Sequence, residues 1–453
     1  ITGGNIFFKL ENLQITGSFK FRGASHKIAK LTDSIKKNGL VAYSSGNHAQ
    51  AVAYASQQNN ISAKIVMPTT APKIKINNTR KCDILITAGK LLTKSGNIAE
   101  SQEIAINDDK IVAVGTNLNF NPIKQFSFPN DILVPGLVDL HFHPGPSSWK
   151  YTVEPDEWTL PTGTTTVLSQ GDAGINNWNL YKKTIVNKSK TRVLMAISIS
   201  NYGDQFETIN YTNSTEIDVG RSIDIINKDS DMIWGISFNA ALGSCNASDP
   251  EVIMNKVLQV ASATNKPILY GIRREPFDWT IDNQLQLLRP GDVITYCFYP
   301  GKGGILNETR IEPSVLKARE NGILFDVGHG MSSFDFNVAA TCIKEGFHPD
   351  TISTDFYKRH ITNNLDHSMP TLISKLIASG MHNNEAIYKS TVAPANILSR
   401  KNEYGTIEPG KFADLTILKW NTAQKPLIDV NGNIKHSEYY ESIFTIKAGE
   451  IIN

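Results

Sequence analysis

The sequence predicts an α/β fold, and three observations carry that expectation. The first is size and composition. The chain has 453 residues, 40% hydrophobic and 19% charged. That is ordinary for a globular protein, excludes wholesale disorder, and is enough chain for two or three domains or one large barrel with smaller parts. The second is an apolar stretch, Ile132-Leu133-Val134-Pro135-Gly136-Leu137-Val138-Asp139-Leu140, that ends in His141-Phe142-His143. Residues i and i+2 of a strand point to one side, so both imidazoles can reach a single ion at the strand's C-terminal end. Catalytic residues of (β/α)8 barrels sit at such strand ends. The third is a change of character near residue 80. Residues 1–80 hold nine Lys and two Arg against only Glu11 and Asp33, a balance of +9, whereas the whole chain carries +2. Such asymmetry marks two segments of different origin.

The same numbers narrow the partners. A net charge of +2 drives the chain neither onto nucleic acid nor onto an anionic membrane. The basic segment has no helix-turn-helix pattern and no aromatic-interleaved basic stripe. No apolar run approaches 18 residues. Cys82, Cys245, Cys297 and Cys342 are scattered, without a CxxC pair, which favours a reducing, cytoplasmic setting over a disulfide scaffold. The sequence starts at Ile1, and no basic-then-apolar signal segment follows. The expected partner is a small-molecule substrate, and a homo-oligomer is left open.

In residues 1–80 two motifs stand out, Ser18-Phe19-Lys20-Phe21-Arg22-Gly23-Ala24 and Ser44-Ser45-Gly46-Asn47-His48-Ala49-Gln50-Ala51. With Leu10-Glu11-Asn12-Leu13-Gln14 and Ile65-Val66-Met67-Pro68 they closely resemble the threonine dehydratase and serine racemase family of pyridoxal phosphate enzymes. The resemblance implies a Schiff-base role for Lys20 and a cofactor-ring contact for Asn47. It also implies an incomplete N-terminal α/β fragment, because that family's catalytic unit needs roughly four times this length. No later glycine-rich phosphate cup of its type follows. Lys20 and Asn47 are therefore expected to be vestigial, pyridoxal phosphate is not expected to bind, and dehydratase activity stands only as a second alternative.

Residues 81–453 read differently. Thr164-Thr165-Thr166-Val167 looks like a second strand, and Ser353-Thr354-Asp355 like an eighth. Thr391-Val392-Ala393-Pro394-Ala395, Gly405-Thr406-Ile407-Glu408-Pro409-Gly410-Lys411 and the strand–turn–strand over 443–451 follow. With His141-x-His143 these resemble the amidohydrolase superfamily. Leu288-Arg289-Pro290-Gly291-Asp292 and Phe325-Asp326-Val327-Gly328-His329-Gly330 point to its dihydroorotase-related deacetylase branch. The resemblance implies a (β/α)8 barrel over 137–400, flanked by a small β-sandwich built from 81–136 and 401–453.

A complete site of that branch holds two metals on His-x-His, a carboxylated Lys, two further His and a late Asp. This chain has no histidine between His143 and His329, and no lysine between Lys228 and Lys256. Ser237 stands at the bridging lysine's place, Tyr270 or Gly271 at the fifth strand and Tyr296 at the sixth. His141, His143 and Asp355 are the metal ligands left, and Asp355 is also the expected catalytic base. Three protein ligands can hold one Zn2+, the expected divalent metal, with a position open to water. The expected function is hydrolysis of an amide, cyclic amide or ester bond on a small molecule. A metal-free enzyme and a catalytically inactive binding barrel are the alternatives. In the metal-free case Arg273 or Arg274 takes the cation's place in polarising a carbonyl.

Arg273, Arg274, His329 and His360 are the expected substrate contacts, each weighed against a plain surface or packing role. Asp172 is a spare oxygen ligand at most. Asp326 is expected to be structural and Cys297 a packing thiol. His348, His367, His382 and His436 read as surface or packing residues.

Overall fold

The structure is a computed structural model. It describes residues 16, 18–59, 61–72, 81–118, 120–205, 211, 214–241, 245, 249–274, 279–307 and 309–453. The Leu10–Gln14 motif, Asn77–Arg80 and Glu275 lie outside the described residues. The chain divides into two compact units. One comprises residues 1–86, 103–107 and 115–126; the other comprises 87–102, 108–114 and 127–453.

In the first unit, strands β1 (Leu40–Tyr43) and β2 (Ala63–Val66) pair in parallel, Leu40 opposite Ala63. Helices Lys20–Ala29 and Asn47–Gln58 supply Ala24, Ile28, Ala51, Val52 and Ala55 to a small core with Ile61. Parallel sheets normally bury both faces. This one leaves Val41 76% and Tyr43 72% exposed. Among the described residues, no layer covers this face of the sheet.

Strands β3 (Lys81–Leu92), β4 (Ile98–Asn107), β5 (Lys110–Gly115) and β6 (Asn121–Pro135) follow. At the other end of the chain come β16 (Leu415–Ile428), β17 (Ile434–Lys447) and β18 (Glu450–Ile451). These seven form one sheet in the order β18-β17-β16-β6-β3-β4-β5. Leu415 of β16 lies opposite Pro135 of β6, so the two ends of the region share a ladder.

The second unit is built on seven strands. They are β7 (Leu137–Phe142), β8 (Thr164–Gln170), β9 (Arg192–Ser198), β10 (Ile233–Asn239), β11 (Ile268–Gly271), β12 (Val293–Thr295) and β15 (Leu324–Phe325). They pair in sequence order and in parallel, which is the curled sheet of an α/β fold. A short antiparallel hairpin, β13 (Leu306–Asn307) with β14 (Arg310–Ile311), precedes β15. The segment expected as an eighth strand carries isolated parallel bridges on both sides, Asp326 to Thr351 and Phe142 to Phe356.

Local chemistry explains the alternation. Every residue of β7 and β8 is buried, as a parallel strand covered on both faces requires. Helices Val219–Lys228, Pro250–Thr264, Ile281–Leu287 and Phe336–Lys344 each start behind a side-chain cap, from Asp218, Asp249, Thr280 and Asp335. Each such cap stabilises its helix by about 1 kcal/mol. Val138, Leu140, Leu168, Leu194, Trp234, Leu269 and Val293, from six successive strands, meet in one apolar cluster. That cluster fixes the strand ends on which the site is built.

Candidate functional site: a His–His–Asp centre

His141 and His143 leave the end of β7 with rings whose Nε2 atoms lie 3.1 and 3.3 Å from Asp355 Oδ1. Asp139 sets this register. Its carboxylate takes the N–H of His141 and that of Thr354, the residue before Asp355. Asp355 N–H in turn donates to His141 O at 2.7 Å.

The far side of each ring is fixed as well. Thr295 Oγ, at the end of β12, donates its proton to Asp326 Oδ2 (2.9 Å). It must therefore accept from His141 Nδ1, 2.9 Å away. Asp172 Oδ2 takes Ser169 Oγ–H, and Oδ1 takes His143 Nδ1–H at 2.8 Å. With both Nδ1 atoms donating, each ring presents a lone pair at Nε2 in its neutral form. Burial pulls the His141 ring down to about 4. Burial also opposes charge on His143, but Asp172 and Asp355 hold that ring well above the usual histidine value. Burial would raise Asp355, and the charges of His141 and His143 keep its carboxyl below the usual range instead.

One buried atom is left unanswered: His141 Nε2 has no hydrogen-bond partner. Ligand atoms of His141, His143 and Asp355 lie within 4.8 Å of one another, and a bound cation would take the place of the proton on His143. Two imidazole nitrogens and a carboxylate are a fitting donor set for one divalent cation. Among the described residues this is the sole cluster of that kind.

The surrounding backbone is shaped to the centre. Asp355 has φ +50° and Tyr296 φ +72°. Side chains rarely adopt that region, and holding it costs about 1–3 kcal/mol, a strain that clusters at functional sites. Gly328 and Gly330 (φ +50° and +48°) pass so close that a Cβ would lie 2.0 Å from Thr295 Oγ and 2.3 Å from Asp355 Oδ2 respectively. Only glycine fits either position.

The positions expected to have lost ligands can now be placed. Tyr270 turns away and donates to Gln284 Oε1, so Gly271 is the residue whose Cβ would face Tyr296. Ser237 Oγ lies 3.1 Å from where a Gly171 Cβ would stand. The Tyr296 ring sits 5.2 Å from that of His141, and its hydroxyl reaches Gln170 Oε1 at 3.3 Å.

Arg273 is buried and donates to Ala240 O at 3.1 Å. Arg274 is the more open of the two. Its guanidinium lies 4.6 Å from the Tyr296 ring and donates to Ser333 and Ser332. His329 and His360 are buried, and both pack on His367, whose Nε2–H donates to Thr354 O. In the first unit, Lys20 begins one helix and Asn47 the other, and both side chains are exposed. Sequence reasoning missed Thr295 and Lys375. Thr295 is a strand threonine like many others, and Lys375 lies in an apolar helix with no motif around it.

Residues 313–452 match the amidohydrolase family, and residues 1–120 match the pyridoxal-phosphate dependent enzymes. A deacetylase of Enterococcus faecalis is 31% identical over 371 residues, 80% of this chain and 98% of that protein. A catabolic L-threonine dehydratase of Staphylococcus aureus is 50% identical over 149 residues, 30% of this chain and 42% of the dehydratase. Two solved structures share the fold. A crystal structure of an adenine deaminase has a TM-score of 0.75 and 29% identity, over 82% of this chain and all of that one. One of a dihydroorotase has 0.72 and 25%, over 82% and 98%. With a deacetylase aligned along almost its whole length, the chain belongs to the amidohydrolase family.

Proposed function

We propose that this chain is a metal-dependent hydrolase that cleaves an amide, cyclic amide or ester bond of a small molecule, with a single divalent cation at an incomplete, mononuclear site. The observation that carries the proposal is the convergence of His141 Nε2, His143 Nε2 and Asp355 Oδ1, with both Nδ1 atoms occupied behind them. A cation held there, zinc being the first candidate, polarises a carbonyl and lowers the pKa of water.

The chain's own residues supply the rest. Asp355 turns Oδ1 to the two histidines, and its other oxygen is left to take a proton from the attacking water and return it to the leaving atom. Asp172 and the Thr295–Asp326 pair keep the two rings in the tautomer that points Nε2 inward. Tyr296 and Arg274 flank His141, and Arg274 is the guanidinium we place against the substrate. The deacetylase, adenine deaminase and dihydroorotase names among the relatives support a hydrolase of this kind.

The same proposal reads residues 137–400 as a closed (β/α)8 barrel whose eighth stave is the bridged segment 351–356. Residues 81–136 and 401–453 form the flanking β-sandwich. Residues 1–80 are a truncated fragment that does not work as a dehydratase.

Elemental analysis of the purified chain is the test, on wild type and on His141→Ala/His143→Ala. About one divalent metal per chain, absent from the double variant, is expected. Turnover of an acyl-amino-acid, hydantoin or lactone should disappear with it. No metal in either protein overturns the proposal.

A further inference from the structure

Behind Gly330 lies a cavity of about 310 Å³ that does not include the His–His–Asp centre. This is the lower end of the ~300–1,000 Å³ typical of small-molecule pockets. Its buried wall carries His329, His360, His367 and Lys375, and its rim carries Leu365, Ile428 and Val430. Leu365 and Ile428 are 46% and 49% exposed, whereas Lys375 is 4% exposed.

The protons on the buried wall can be counted. His329 Nδ1 lies 2.7 Å from Gly330 O, which only accepts, so that nitrogen holds the ring proton. His329 Nε2 then takes one proton from Lys375 Nζ, 2.9 Å away. No other partner faces Lys375 Nζ among the described residues: it has no ion pair. The nearby carboxylates are engaged elsewhere. Asp366 holds Lys425 and Thr371, and Asp429 holds Asn433 and the N–H groups of Phe336 and Asn431.

His360 tells the same story. His360 Nδ1 lies 3.2 Å from both the N–H and the carbonyl oxygen of Tyr357. The tautomer in which it accepts that N–H carries the ring proton on Nε2. That Nε2 is buried and has no partner. Lys375 Nζ thus faces the cavity with protons to spare, His360 Nε2 is unpartnered beside it, and the two carboxylates of the lining, Asp366 and Asp429, are held by the partners named above.

We infer that this cavity binds a small carboxylate with an apolar body, its oxygens held by Lys375 Nζ and His360 Nε2 and its body by Leu365, Ile428 and Val430. Two donors suit the two oxygens of a carboxylate better than the fuller shell a phosphate needs. Burial holds Lys375 down to about 8, and an incoming anion would offset that desolvation. The inference stands apart from the hydrolase proposal, because none of its residues is in the centre.

Calorimetric titration with hexanoate tests it, with hexanamide and inorganic phosphate as comparison probes. Hexanoate should bind the wild-type protein, and at least tenfold more weakly to Lys375→Met and to Ile428→Trp, which fills the rim from an exposed position. Binding should persist in Asp355→Asn, and neither hexanamide nor phosphate should match it. Undetectable hexanoate binding at millimolar concentration overturns the inference. So does equal binding to a folded Lys375→Met, or loss in Asp355→Asn alone, which would assign the anion to the His–His–Asp centre. If Lys375→Met does not fold, undiminished binding to Ile428→Trp overturns it instead. Phosphate binding more tightly than hexanoate overturns the ligand class.

Discussion

On one side of Gly330, electron pairs converge with too few protons to share. On its other side, Lys375 has more protons than the one acceptor facing it, His329 Nε2, can take. His141, His143 and Asp355 make up the first cluster, and Lys375, His329 and His360 the second. A third buried cluster shows what balance looks like. Lys447 and Arg192 both reach Asp414 Oδ2, at 2.9 and 2.6 Å, and Asp414 Oδ1 takes the N–H of Ala448. Every charge there has a partner inside the chain. Buried ionisable groups that are complete serve the fold, and those that are incomplete mark places where something from outside completes them.

The largest expected effect comes from the electron-rich cluster. Asp355→Asn should lower turnover by about 10²–10⁴-fold, the range of general acid–base catalysis. Asparagine also tolerates φ +50°, so the circular dichroism spectrum and melting should stay near wild type. Unchanged turnover would remove Asp355 from the chemistry.

Next in size is the balanced cluster. Asp414→Asn makes Lys447 as unanswered as Lys375 and should cost about 3–5 kcal/mol in a denaturant titration. The pH sign is fixed by Asp414. Burial opposes its charge, but Lys447 and Arg192 hold the carboxyl below its usual value. Its contribution is thus full above the unfolded carboxylate pKa and lost as pH falls through the lowered folded value. Unfolding of the variant should accordingly lose part of the wild type's acid sensitivity. A variant as stable as wild type at neutral pH would break the contrast.

Thr295→Val sharpens the comparison from inside the His–His–Asp centre. It keeps shape but leaves His141 Nδ1 without its acceptor, and should weaken metal affinity about 10–100-fold in a competition titration with a chelating dye. No change would mean that Asp326 and Thr295 do not set the tautomer.

The smallest effect is expected at Lys375. Lys375→Met should raise Tm at pH 7 by ~2–4 °C, by removing a buried ammonium. Lys375 is held down to about 8 by burial, so the unfolded chain binds the extra proton between about pH 8 and its ordinary value of 10.5. Wild-type stability therefore rises with pH across that window, and the variant's advantage should shrink there. A melting-point gain that is constant from pH 7 to 10 would show that Lys375 keeps its ordinary value in the folded chain and that burial does not hold it down.

Legibility in the sequence followed spacing. The α/β class, the apolar runs that become β7, β8, β10, β11 and β12, and the three side chains His141, His143 and Asp355 that the fold brings together were legible in apolar runs and short motifs, whereas β9 (Arg192–Ser198) was not singled out. Such features are local, and a strand's two-residue period is written in the chain itself. The choice between Tyr270 and Gly271 could not be read, because a four-residue apolar strand does not say which face turns inward. The structure turns Tyr270 to Gln284 and leaves Gly271 facing Tyr296. Arg273 and Arg274 are neighbours in sequence, yet one is held under Ala240 O and the other lies on Tyr296.

By itself, then, the sequence determined which chemical groups exist and which can share a strand end. It also determined that the N-terminal segment is chemically distinct, with nine Lys and two Arg against two acidic residues over 1–80. Tertiary structure decided which proton each imidazole carries. That depends on Thr295, 154 positions from His141, on Asp172, and on Gly330 and Lys375, all brought together by closure of the strands rather than by neighbourhood in the chain. A histidine's role is set by the partner on its second nitrogen, and only the folded chain supplies that partner.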